Sequence, residues 1–113
     1  MKKDDTVYLH HILDSIRLIQ KHTNEIDYET FLNDELVYNT VIRQLEIIGE
    51  ASNHISDNVI YDIPDIPWKD IVSMRNILVH DYFEIDLQDV WKTAKNDLII
   101  LKEKIQIYLN QKK

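Results

Sequence analysis

Residues 73–82 are mostly apolar but contain three side chains that could take part in catalysis. These are Arg75, His80 and Tyr82. A guanidinium is always charged and presents a planar fork to phosphate oxygens, whereas an imidazole can take or return a hydroxyl proton near neutral pH. On RNA, the 2′-OH is the internal nucleophile that such a base would activate, so this chemistry needs neither a metal nor a cofactor. The plainer alternative is an arginine that pairs with an acid elsewhere and a histidine that caps helix carbonyls.

The helix that must carry these residues does not aim them at one point. At about 100° per residue, Arg75 shares a stripe with Leu78, so it occupies a position that packing alone would give to an apolar residue. His80 lies roughly 140° around the same helix from Arg75. The two side chains meet only if the helix loosens near Val79 or if a second copy of the chain supplies one of them. The pattern therefore suggests a dimer.

Two blocks of the sequence resemble the HEPN-type toxins called HepT. One block is Arg75-Asn76-Ile77-Leu78-Val79-His80-Asp81-Tyr82 with its flanking residues 66–71 and 85–86, and the other is residues 42–51. The family motif of Arg, four residues, His, one residue and Tyr falls on Arg75, His80 and Tyr82 without a departure. The resemblance covers nearly the whole chain.

The resemblance implies a small α-helical ribonuclease that acts as a homodimer on RNA. It also implies a partner, a nucleotidyltransferase antitoxin of the MntA type, which transfers AMP to the tyrosine and silences the nuclease. On this chain Arg75 and His80 would be the catalytic pair and Tyr82 the modified residue. Asn76 would support them by orienting RNA or His80 through hydrogen bonds.

Gly49 is the only glycine in the chain, and it lies inside a predicted helix. Glycine there costs up to about 1 kcal/mol relative to alanine, so it is either a tolerated defect or a point of close helix approach. Ala51 and Ser52 beside it favour close approach. Glu50 would then be placed to pair with Arg75 and hold its fork, although an exposed, unpaired Glu50 is the other option.

Composition indicates one helical domain spanning residues 1–113. The chain is 44% hydrophobic and has one glycine and two prolines, so residues that interrupt helices are scarce. It has no cysteine, so a disulfide or a thiolate metal site is impossible. No apolar run approaches the roughly 18 residues that span a bilayer, and the first residues lack the apolar core of a signal peptide. We expect a cytoplasmic protein with no membrane contact.

The charge balance argues against general RNA binding. Twenty acidic and 13 basic side chains leave a net charge of −7, whereas nucleic-acid binders usually carry a basic face. A local positive cleft at a dimer seam, formed by Lys69 and Arg75 with Arg43 as a further candidate, would offset this, and the acidic body would suit a basic partner protein.

Apolar spacing predicts an all-α fold, an antiparallel up-down bundle of four main helices plus one short helix. The expected segments run from Asp4 or Asp5 to about Lys21, over the short turn 28–32, from Asn33 or Asp34 to about Ile55, from Pro67 to about Tyr82, and from Asp86 towards the C-terminus. Residues 56–66 are predicted to interrupt the helices. Ile99, Ile100 and Ile107 lie off the last helix's main stripe and suggest an oligomer contact.

The remaining histidines suggest no metal site. His10 and Asp14 form one i, i+4 pair, which is far short of a ligand set. His22 and His54 are expected near helix C-termini, where the dipole favours a cation.

Two functions remain open from the sequence. The first is a metal-independent ribonuclease toxin built on Arg75 and His80. The second is a helical partner without catalysis that a nucleotidyltransferase binds and modifies at Tyr82.

Overall fold

The computed structural model describes residues 2–112, except for the side chain of Lys3. The helices in that range are α1 (Lys3–Thr23), α2 (Tyr28–Asn33), α3 (Glu35–Asn53), α4 (Asp57–Asp62), α5 (Trp68–His80), α6 (Leu87–Lys92) and α7 (Leu98–Gln111). A 3₁₀ helix (Tyr82–Glu84) follows α5, and a π-helical segment (Thr93–Asp97) joins α6 to α7. The described residues contain no strand, so the predicted all-α bundle is confirmed. No helix in residues 2–112 combines the length and the apolar character needed to cross a bilayer.

The long helices run up and down around a single core. α3 lies between α1 and α5, and α7 packs along α1. The end of α3 meets the start of α1, because the His54 ring stacks on Tyr8 with centroids 5.0 Å apart. The end of α1 meets the π-helical segment that precedes α7, where Lys95 Nζ donates to the Thr23 carbonyl at 3.0 Å. Both neighbours of α1 are therefore antiparallel to it.

The predicted apolar stripes form the core. On α1 the buried apolar residues are Leu9, Ile12, Ile16 and Ile19, and on α6, the π-helical segment and α7 they include Val90, Ala94, Leu98, Leu101, Ile105 and Tyr108. Ile99, Ile100 and Ile107 are about half exposed, at 54%, 55% and 49%. They are available to an oligomer contact, which stays a prediction.

Aspartate side chains cap the N-terminal ends of α2, α3 and α6. The carboxylates of Asp27, Asp34 and Asp86 each accept a backbone N–H from the first turn, at 2.8, 3.1 and 2.9 Å. Such caps satisfy one of the four free N–H groups at a helix start.

Two expectations about boundaries need correction. Neither Asp4 nor Asp5 precedes α1, since both lie inside its first turn, where Asp5 accepts the Lys2 backbone N–H at 3.1 Å. The predicted interruption at 56–66 contains α4, whose Val59 is fully buried. A helix of six residues with one buried anchor leaves too short an apolar repeat to be recognised from spacing.

Asp5 also ties two distant parts of the chain together. It is 1% exposed, and its carboxylate accepts the Ser56 backbone N–H at 2.9 Å and the Ser56 hydroxyl at 2.7 Å. Burial raises the pKa of Asp5, but the hydrogen bonds from Ser56 and Lys2 outweigh it and leave the pKa below its ordinary value. The charged carboxylate therefore joins the start of α1 to the start of α4.

This link predicts acid sensitivity. The folded pKa of Asp5 lies below the unfolded one, so its stabilisation is present above the unfolded pKa and is lost as pH falls through the folded pKa. Asp5→Asn should lower the free energy of unfolding near neutral pH by about 1–3 kcal/mol and flatten its decline between about pH 5 and about pH 3. Urea unfolding across that range measures both. The exposed neighbour Asp4→Asn is the control, and an equal acid response of Asp5→Asn and wild type would contradict the link.

Candidate active site

α3 and α5 approach closely at Gly49. A Cβ built on Gly49 would overlap the Arg75 Cβ, and it would lie 2.7 Å from Arg75 Cγ and 3.2 Å from the Ile71 carbonyl oxygen. A side chain of any size therefore forces the two helices apart or displaces Arg75. The expected close approach is confirmed, and Gly49 is not a tolerated defect.

The close contact places Arg75 against two polar groups. Arg75 Nη2 lies 3.0 Å from Glu50 Oε2, and Arg75 Nη1 donates to Asn76 Oδ1 at 2.9 Å. The Arg75 side chain is 28% exposed and that of Glu50 is 50% exposed, so the pair is open to solvent on one side. The ion pair expected between Glu50 and Arg75 is present. Together, Glu50 and Asn76 hold the guanidinium fork while leaving part of it accessible.

Glu50 also contacts His54, the residue that caps the C-terminal end of α3. His54 Nε2 lies 3.1 Å from Glu50 Oε1, and His54 is the C-cap residue of α3. The expected place of His54 at a helix end is confirmed, and its ring reaches one turn back to the carboxylate.

His80 is the last residue of α5 and is exposed. The helix stays regular up to this point, because the Asp81 N–H donates to the Ile77 carbonyl at 2.9 Å. Loosening near Val79 is therefore excluded as a way to bring His80 to Arg75. Within residues 2–112 no hydrogen bond or ion pair joins Arg75 to His80, and one chain presents them on different faces of α5.

Tyr82 begins the 3₁₀ helix that follows α5. Its side chain is 61% exposed, and its ring meets Phe83 edge to face with centroids 5.9 Å apart. Phe83 is 97% exposed. The tyrosine hydroxyl is thus carried on a short exposed segment next to the α5 terminus.

A cleft of about 220 Å³ opens beside Arg75, between α1, α3 and α5. We call it the arginine cleft. Its polar and aromatic lining consists of Tyr8, His11, Arg43, Glu46, Glu50 and Arg75. Of the three cations considered for a positive cleft at a dimer seam, Arg43 and Arg75 line this cleft within one chain, and Lys69 does not; the seam stays a prediction. Tyr8 and His11 belong to no local motif, so the sequence does not predict that α1 brings them to the site from far along the chain.

Among residues 2–112, no three His, Asp or Glu side chains come close enough together to hold a metal ion. His10 and Asp14 accordingly gain no third ligand from a neighbouring helix.

Comparison with known proteins shows which family the chain belongs to. The family described as "Ribonuclease HepT-like" matches residues 12–107. The chain belongs to this family. A "Probable ribonuclease HepT" of Thermococcus cleftensis is 43% identical over 94% of this chain and 96% of its own length. A "Putative RNase" of Methanocaldococcus jannaschii is 42% identical over 94% of this chain and 97% of its own length. No solved structure matches the chain. The resemblance identified from the two sequence blocks is confirmed at the level of the family.

Proposed function

We propose that the protein is a cytoplasmic, metal-independent ribonuclease toxin that acts as a homodimer, with Arg75 and His80 at a cleft between two copies. The observation that carries this proposal is the regularity of α5 through His80. One chain holds a partly exposed guanidinium on one face of α5 and an exposed imidazole on another, which supports a site in which two copies together bring both groups to one phosphodiester. Membership of the HepT-like ribonuclease family and the names of the relatives support RNA as the substrate.

The proposed chemistry is transfer of a phosphoryl group within the RNA strand. The 2′ oxygen attacks the adjacent phosphorus to form a 2′,3′-cyclic phosphate, and the 5′ oxygen departs. His80 takes the proton of the 2′-OH or gives one to the leaving 5′ oxygen, and solvent makes the other of these two proton transfers. Arg75 neutralises charge that builds on the non-bridging oxygens. Glu50 and Asn76 position the guanidinium, since both contact it directly at 3.0 and 2.9 Å.

The test is an RNA cleavage assay with the purified, unmodified protein in EDTA. We expect cleavage of cellular RNA at undiminished rate when EDTA is added, because neither proposed group needs a metal. Analytical ultracentrifugation of the same sample should show a dimer. A protein that is dimeric and folded but cuts no RNA would instead favour the helical partner without catalysis, the second function open from the sequence.

We propose further that an MntA-type nucleotidyltransferase antitoxin silences the nuclease by transferring AMP to Tyr82. The phenol oxygen attacks the α-phosphate of ATP, pyrophosphate leaves, and the phenol proton passes to solvent. The 61% exposure of Tyr82 supports access by such an enzyme. The added phosphate would place negative charge beside the site and repel RNA.

This predicts a specific mass gain. After incubation with the partner and ATP, mass spectrometry should find AMP on Tyr82 and RNA cleavage should stop. Tyr82→Phe should keep its nuclease activity and escape silencing. Tyr61→Phe is a matched control, since Tyr61 is also exposed, at 84%. Silencing of Tyr82→Phe by the partner and ATP would exclude Tyr82 as the acceptor.

A further inference from the structure

The arginine cleft is continuous with the proposed catalytic arginine, because Arg75 lines it together with residues of α1 and α3. Whatever occupies this cleft therefore lies next to the phosphate that Arg75 would bind. The cleft brings together a second arginine and aromatic rings, which are the two kinds of group that hold a single strand of nucleic acid.

The second arginine is available to a ligand. The Arg43 side chain is 68% exposed, and it contacts Glu46 on its own helix at 3.4 Å. Exposed ion pairs of this kind contribute little, about 0–1 kcal/mol, so a phosphate can replace Glu46 as the partner of Arg43. Arg43 and Arg75 are then two cationic groups in one cleft, which the carboxylates of Glu46 and Glu50 also line.

The aromatic part of the cleft is held in place before any ligand binds. His54 stacks on one face of Tyr8, with centroids 5.0 Å apart and an interplanar angle of 13°. The His11 ring meets Tyr8 edge to face with centroids 6.2 Å apart. Since Glu50 contacts both His54 and Arg75, the stack and the catalytic guanidinium are tied to one carboxylate. The Tyr8 ring therefore lines the same cleft as Arg75 and is linked to it through His54 and Glu50.

We propose that the arginine cleft is an RNA subsite that binds a nucleotide flanking the scissile bond. The Tyr8 ring stacks with its base, and Arg43 binds its phosphate, while Arg75 contacts the scissile phosphate. This inference rests on the proposed ribonuclease function and adds to it a base-stacking position and a second phosphate contact. The subsite tolerates different bases because each base has a π face.

The test measures binding of a short single-stranded oligoribonucleotide to the full-length His80→Ala protein by fluorescence anisotropy. In that background, Tyr8→Leu should weaken binding by roughly 5- to 150-fold, the range for one lost base stack. Tyr8→Phe keeps the ring and should bind like the parent. Arg43→Gln should weaken binding by about 3- to 10-fold and reduce the slope of log affinity against log salt by about 1. Tyr8→Leu should leave that slope unchanged.

Matched controls separate the subsite from general effects. Arg17→Gln removes an exposed arginine of α1, and Tyr61→Leu removes an exposed tyrosine of α4, and neither residue lines the arginine cleft. Both should bind RNA within about two-fold of the parent. Circular dichroism and thermal unfolding check that each variant is folded. If Tyr8→Leu does not fold, the salt slope of Arg43→Gln decides.

An abasic scan locates the stacked base. Replacing one nucleotide at a time by an abasic residue should weaken binding of the parent at one position, and Tyr8→Leu should remove that dependence. Equal binding by Tyr8→Leu, Arg43→Gln and the two controls would overturn the subsite even if the wild type cleaves RNA. Conversely, a wild type that cuts no RNA contradicts the proposed nuclease, whereas the binding measurements still decide the subsite.

Discussion

Arg75→Ala and His80→Ala should each lower the rate of RNA cleavage by about 10²-fold or more, the usual contribution of one positioned acid–base or charge-stabilising group. Neither change should unfold the protein, since His80 is exposed and the Arg75–Glu50 pair is open to solvent. Arg17→Ala and His10→Ala, which alter exposed residues of α1, are the matched controls and should keep wild-type activity. Initial rates with a labelled RNA in EDTA measure the effect.

Mixing the two inactive variants gives the sharper result. If the site combines Arg75 of one copy with His80 of the other, a dimer of one Arg75→Ala chain and one His80→Ala chain retains one intact pairing. Two different affinity tags isolate such mixed dimers, and we expect them to recover roughly half of the wild-type activity. The two parent homodimers, carrying the same tags, should stay inactive.

A failure to recover activity would show that both groups must come from the same chain. That result would conflict with the regular α5, whose Asp81 N–H to Ile77 carbonyl bond fixes His80 on a different face from Arg75. Retention of full activity by either single variant would remove that residue from the catalytic pair.

The sequence predicts the fold well where local chemistry decides it. The stripe of α1 repeats at the helical period, and the carboxylates of Asp27, Asp34 and Asp86 cap the helices that follow them. The π-helical segment (Thr93–Asp97) was not predicted. One wider turn shifts the register by a single residue, so the apolar spacing across it still fits an ordinary helix.

The same distinction applies to the candidate site: local chemistry predicts part of it, and the packing between helices determines the rest. The Glu50–Arg75 pair was predictable because the lone glycine beside Glu50 indicates where another helix approaches. The arginine cleft was not predictable. The apolar repeat predicts which face of each helix is buried, but it does not predict how one helix is aligned along its neighbours. Tyr8 reaches the site through its stack on His54, and that contact depends on how α1 lies against α3. The Asp5–Ser56 bond, which joins residues 51 positions apart, was missed for the same reason.

Gly49→Ala should destabilise the protein by about 1–3 kcal/mol, the usual cost of forcing extra atoms into a packed contact. In an open helix the same change stabilises by up to about 1 kcal/mol, so the sign of the effect reports the contact between α3 and α5. Asn39→Ala, at an exposed position of α3, is the control and should be neutral or slightly stabilising. Urea unfolding measures both.

A double-mutant cycle tests whether the contact with Arg75 causes the destabilisation by Gly49→Ala. The added Cβ would overlap the Arg75 Cβ and lie 2.7 Å from Cγ, and both atoms are absent in Arg75→Gly. Gly49→Ala should therefore cost less in the Arg75→Gly background, with a coupling of about 0.5–3 kcal/mol. Some cost should remain, because the Ile71 carbonyl oxygen still lies 3.2 Å from the new Cβ. Equal costs in the two backgrounds would mean that the Arg75 side chain does not cause the destabilisation and that the contact with the Ile71 carbonyl oxygen does. A coupled pair would instead show that Gly49 specifies where the guanidinium sits, and Gly49→Ala should then slow RNA cleavage even in conditions where the protein is fully folded.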